Sequence, residues 1–267
     1  MKRKHLYYIA FIAILLPVIF LLNSCKPDND EIYYGKVILK FEHKIDDTAA
    51  VFNVMKYVNE AGNQYEISNI QWFISDLTFY KKGQTPFVVK KITNCHYIDS
   101  DLPSTQTWEI PDDIPEGIYD SMSFIFGFTP SENISFMFVN PPEDAMWWPE
   151  NLGGGYHYMK MNGFWMDSVG FKRGFGFHLG IGRVINGTDT TLVHNYFKVN
   201  FKTPITLYTN KVKEITIAMH IDEWFKNPHK WDFNYWGPAI MNNEDAMRTA
   251  KENGEVGVFK IASIKDL

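Results

Sequence analysis

The segment Asn69–Gly83, "NIQWFISDLTFYKKG", carries aromatic and β-branched residues at alternate positions and closes on a Lys-Lys-Gly turn. Such spacing belongs to an extended chain, whose successive side chains go to opposite faces of a sheet; a helix repeats its face every 3.6 residues. Outward from it, seven further segments share the pattern: "GKVILKFEH" (35–43), "TPFVVKKI" (85–92), "GIYDSMSFIFGF" (117–128), "YHYMKMNGFW" (156–165), "RGFGFHLGIG" (173–182), "TLVHNYFKVNF" (191–201) and "KVKEITIAMHI" (211–221). Gly, Pro, Asn and Asp mark the turns between them. The series predicts an all-β fold, an antiparallel β-sandwich rather than alternating βα units.

One segment breaks the period. "NNEDAMRTAKENG" (242–254) offers Asn242 or Asn243 as N-cap, acids in the first turn and Gly254 in the position of a C′ glycine. It predicts one short C-terminal α-helix over 243–253, packed at an end of the sandwich. "DEWFKNP" (222–228) predicts a shorter turn stopped by Pro228.

The N-terminus reads Lys2, Arg3, Lys4, then an apolar run from Leu6 to Leu22, then Leu22-Asn23-Ser24-Cys25. A charged start, an apolar core and a small-residue stop describe an export signal; a single membrane anchor is the alternative. The Leu-x-Ser-Cys tetrapeptide resembles the bacterial lipobox, which implies cleavage before Cys25 and membrane lipid attached to it. The chain then divides into a signal peptide (1–24), a polar and acidic flexible tether (25–34) and one β-sandwich domain (35–267). The acids behind Cys25 resemble a signal for surface display. The expected location is the cell outer membrane, lipid-anchored, periplasmic or surface-exposed. With Cys25 lipidated, Cys95 is the other of only two cysteines, so no internal disulfide is expected.

Composition excludes some functions. Lys and Arg are scattered and the net charge is −5, so the basic patch of a nucleic-acid binder is absent. No H-E-x-x-H, C-x-x-C, G-x-S-x-G or phosphate-loop signature occurs, and the acid pairs Asp112-Asp113 and Asp222-Glu223 have no nucleophile motif beside them. The expectation is a binding protein, not an enzyme.

Histidines are the residues that could carry chemistry. If 156–161 is a strand, His157, Met159 and Met161 share one face, and Tyr156, Tyr158 and Lys160 the other. One imidazole and two thioethers in line form a soft donor set of the kind that selects copper(I); equally, the methionines fill a core and His157 makes a hydrogen bond there. Gly153, Gly154 and Gly155 let a tight turn enter that strand. His178 has Gly176 and Gly180 beside it on its face, which leaves space either for a ligand or for the ring itself. His220 precedes Asp222 by two places, as a ligand and its orienting partner would, or as two residues of a solvated face would. His43 ends the first strand. His96 follows Cys95, and adjacent strand residues oppose each other, so those two are not expected on one metal. Trp147, Trp148, Trp231, Tyr235 and Trp236 lie in loop-like segments; if exposed, they would make the protein a surface module for a glycan or peptide.

The combination of "FEH" in the first strand, "YEISNIQWFISDLTFY", "MWWPENLGGGYHYMKMNG", "FHLGIG" and "WFKNPHKWDF" with "AIMNNEDAM" resembles the MbnP-like family of bacterial copper-binding proteins from about Gly35 to Phe259. The resemblance implies an exported β-sandwich that holds copper by histidines for acquisition, storage or delivery. In some members it also implies a tryptophan oxidised to kynurenine by a dihaem, peroxidase-like partner. It carries His157 and His178 over as ligands, and His43, His96 and His220 as lesser candidates; the strand register read above adds Met159 as an assisting group. It departs from the family at the modified tryptophan, placed two residues before a ligand histidine: Gly155 stands there before His157. Proton competition for such ligands is expected near the ordinary histidine range of about 6 to 7.

Overall fold

Gln64–Tyr80 is a single strand of 17 residues to which most of an eight-stranded sheet is attached. Along one edge it pairs antiparallel with Met159–Met166 over Tyr65–Trp72 and with Ser121–Phe126 over Ile74–Tyr80. Lys172–Leu179 and Phe197–Phe201 extend those two strands outward. On the other edge it pairs with Cys95–Asp99 over Gln71–Ser75. The structure is a computed structural model that describes residues 32–90 and 94–267. Cys25, the 1–24 signal and the 25–31 part of the tether lie outside the described residues.

The second sheet has six strands, with Val212–His220 between Phe259–Asp266 and Tyr34–Ile45. Trp72 and Phe126 of the first sheet meet Phe41 and Phe259 of the second, with Phe41–Trp72 ring centroids 5.5 Å apart and Trp72–Phe259 5.3 Å. The expected β-sandwich is therefore present, its core built of interlocked aromatic rings. One pairing departs from the antiparallel expectation. Tyr34–Ile45 and Val212–His220 run parallel, from Lys36↔Val212 to Lys44↔His220. A parallel pair needs a long crossover, and almost the whole domain lies between these two strands to supply it.

Phe73 shows why the alternation in the opening segment is imperfect. Ile70, Trp72 and Ile74 point into the sandwich, yet Phe73 on the opposite face is also fully buried. The connection between Phe126 and Met159 crosses that outer face, and its Phe128, Phe138 and Tyr156 rings pack on Phe73. The candidate centre lies beneath this covering segment.

The late helix spans Glu244–Val256, with Asn243 as N-cap accepting from the Ala246 amide. It outruns the expected end at Asn253, because Gly254 is not a C′ residue but a contact point: a Cβ there would stand 2.5 Å from the Trp224 ring and 2.6 Å from the Phe197 ring. Helix propensity alone would make Gly254→Ala stabilising by about 1 kcal/mol, but overpacking of this kind costs about 1–3 kcal/mol. We expect a lowered urea midpoint; a raised one would show the helix able to shift off Trp224. A second helix, the four-residue Phe233–Trp236, was not expected, although Asp232 caps it and Gly237 follows it. The expected turn near Asp222 is a 3-10 helix, Ile221–Phe225.

Candidate metal centre

Gly153, Gly154 and Gly155 all have positive φ, at 122°, 71° and 77°. A side chain at Gly155 would lie 2.5 Å from Asn133, and one at Gly153 2.7 Å from Ile181. The Gly155 amide donates to Ser135 Oγ and the Tyr156 amide to Asn133 Oδ1, both at 2.8 Å. The glycines thus permit the left-handed turn and close approach that the sequence implied. They also displace the strand start: regular pairing begins at Met159, not at Tyr156.

That displacement corrects the expected face. Met159 and Met161 sit opposite Leu179 and Phe177, wholly buried in the core. His157 precedes the regular strand, and its ring turns to the outer side. There it meets His178, whose register partner is Lys160. The two imidazoles stand edge to face, with centroids 5.3 Å apart and planes at 79°. The sequence candidates His157 and His178 are brought together; Met159 is on the other side of the sheet from them.

Hydrogen bonds fix the tautomer of each ring. His157 Nδ1 lies 2.9 Å from the Met146 carbonyl, which only accepts, so Nδ1 carries the proton. The lone pair is left on Nε2, and that atom is buried with no hydrogen-bond partner. Around His178 the chain of donors begins with Asn162 Nδ2, which donates to Asn69 Oδ1 at 2.9 Å. Asn162 Oδ1 therefore accepts from His178 Nε2–H at 2.9 Å, and the His178 lone pair is on Nδ1. Each ring has its N–H held by a protein oxygen and one lone pair to spare, the arrangement by which backbone and amide groups orient metal-binding histidines.

Burial, then the nearby Lys160 charge, lowers the pKa of His157 to about 3 and that of His178 to about 4. Both rings are thereby held neutral at any pH near neutrality. Lys160 is itself lowered by burial, and its ammonium donates to the Ala145 carbonyl. A buried orphaned nitrogen beside a second imidazole fits a metal ion that takes imidazole ligands, copper among them.

The lesser candidates lie elsewhere. His43 faces the core and accepts from Trp72 Nε1 at 3.1 Å, beside a cavity of about 390 Å³. His96 is stacked flat on Trp108 at 5.0 Å and donates to the Thr105 carbonyl at 2.8 Å. Burial pushes each of these two histidines to about 4. His220 pairs with Asp47 at 3.4 Å, while Asp222, its expected partner, takes the Lys226 ammonium instead. Among the described residues, no group of three or more His, Cys, Asp or Glu side chains is arranged to hold a metal. Of the five loop aromatics, Trp148 and Trp231 are wholly buried, Trp236 is half-buried, and Trp147 and Tyr235 are exposed. Trp148 packs edge-on against His157 at 4.6 Å.

Lys160, Asn162 and the Met146 carbonyl complete the centre and were not singled out from the sequence. The turn Asp167–Gly170 held the signal for the first two: it closes a hairpin with Met166 opposite Lys172, which sets Lys160 across from His178 and Asn162 across from Gly176. Nothing local to Met146 announces its role.

The MbnP family model matches residues 34–243. Among solved structures, MbnP from Methylosinus trichosporium superposes with a TM-score of 0.52 at 12% identity, over 85% of this chain and 99% of that one. At that identity the likeness speaks for the fold. No curated protein matches the chain. With the family model spanning most of the domain, the sandwich and its covering segment in place, the chain belongs to the MbnP family.

Proposed function

We propose that this protein binds one copper(I) ion between His157 Nε2 and His178 Nδ1, as a carrier or store of the metal rather than a catalyst. The buried, unpartnered Nε2 of His157 carries the reading. An orphaned polar atom in a protein interior costs about 1–3 kcal/mol, and a bound ion would remove that cost. Imidazole nitrogens suit copper among several metals, and membership of the MbnP family favours copper among them. Export and lipid attachment at Cys25 belong to the same proposal, with the cell envelope as location and a dihaem protein as a redox partner. Membrane retention that survives Cys25→Ser would refute the lipid anchor.

Titration of tag-free protein with copper(I) against a chromophoric chelator tests the metal. One ion per chain is expected; no uptake sinks the proposal. Removing the group that orients His178, by Asn162→Leu, should weaken binding about 10–100-fold, the usual cost of losing such a partner. Lowered pKa values mean that the lone pairs stay available as pH falls, so protons compete only near pH 4. Affinity should be flat from pH 8 to 6, where the fold keeps most of its stability, in contrast to the decline near pH 6 to 7 that ordinary histidines would give. A tenfold loss of affinity between pH 7 and 6 would contradict this placement of the ligands.

A further inference from the structure

Lys160 lies on the outer face directly opposite His178 in the strand register. Its ammonium is held by the Ala145 carbonyl, in the turn whose next residue, Met146, holds His157 by its own carbonyl. One strand and one turn therefore fix this cation beside both rings, and it acts on both. The charge that acts on both rings is that of Lys160. A bound ion would meet two neutral ligands and one fixed positive charge.

Resting on the copper reading above, we propose that Lys160 is a specificity-determining residue that disfavours divalent cations relative to a monovalent ion held by the two imidazoles. Repulsion between fixed charges is proportional to the charge on the ion. If Lys160 weakens a monovalent ion by some factor, it weakens a divalent ion at the same place by about the square of that factor. Zinc(II) is the proper comparison, since it takes imidazole ligands and has no redox chemistry of its own.

Competition titrations of copper(I) and zinc(II) with wild type, Lys160→Leu and Lys160→Arg test this, together with urea unfolding of each metal-free protein. For Lys160→Leu, which removes the charge and adds no donor atom, a copper(I) affinity raised about fivefold should come with a zinc(II) affinity raised roughly 25-fold, so that the ratio narrows about fivefold. Lys160→Arg, which keeps the charge, should keep the wild-type ratio to within about twofold. An unchanged ratio in Lys160→Leu overturns the inference, as does a change in Lys160→Arg as large as that in Lys160→Leu. A wild type that binds no copper(I) overturns the site itself and this inference with it, which separates the two failures.

Discussion

Between pH 6.5 and 4 the folded protein is expected to lose stability steeply and to unfold before pH 4 is reached. His43, His96 and His178 have pKa values of about 4 and His157 of about 3, in each case chiefly through burial. In the unfolded chain these rings titrate near 6.5. As the pH falls through that value the unfolded state takes up protons that the folded state cannot, so the equilibrium moves toward unfolding. The stability lost is present in full above about 6.5 and disappears on the way down to 4. Each histidine contributes a slope of about 1.4 kcal/mol per pH unit within the window. Four acting together would exhaust a typical total of about 5–15 kcal/mol within about one to three units. Urea midpoints at pH 7.5, 6.5, 5.5 and 4.5 measure the slope. His96→Phe, which keeps a ring stacked on Trp108, should reduce it by about a quarter; a protein equally stable at pH 7.5 and 5 would show these rings already charged in the fold.

The largest functional effect is expected from His157→Ala and His178→Ala. Either substitution leaves a single imidazole, and the affinity for copper(I) should fall by at least about 100-fold, beyond what loss of an orienting partner costs. His194→Ala, on the strand Asp189–His194 outside the pair, should leave it within about twofold. Stability gives an independent control. His157 is 4% exposed and packs on Trp148, so its removal opens a cavity and should cost metal-free protein a few kcal/mol. The Met146 carbonyl keeps the His157 amide as a partner at 2.7 Å, so no new orphan is made there. A variant that loses stability but keeps its copper would place the ion elsewhere.

Much of this architecture was legible because period-two patterning is a direct consequence of strand geometry. The sandwich and the Asn243 cap follow from residues visible in the sequence, whereas the pairing of His157 with His178 came from the family resemblance. Parallel pairing of the first strand with Val212–His220 was not visible, since register between distant strands is decided by packing rather than by any local turn. The face of His157 was misread for a local reason. Alternation is valid only within a continuous strand, and the three glycines turn the chain so that pairing starts two residues after His157. Met159 consequently looked like a neighbour of His157 and is core. Gly254 misled in the same way: read as a helix stop, it is a close approach to Trp224 that only the tertiary fold creates.

X-ray absorption at the copper edge of the loaded, tag-free protein tests the central claim most directly. The account predicts nitrogen neighbours near 2.0 Å, imidazole outer-shell scattering from two rings, no sulfur near about 2.3 Å, and loss of that spectrum in His157→Ala. A sulfur neighbour, from Met159, Met161 or Cys95, or a spectrum unchanged in His157→Ala, would contradict it.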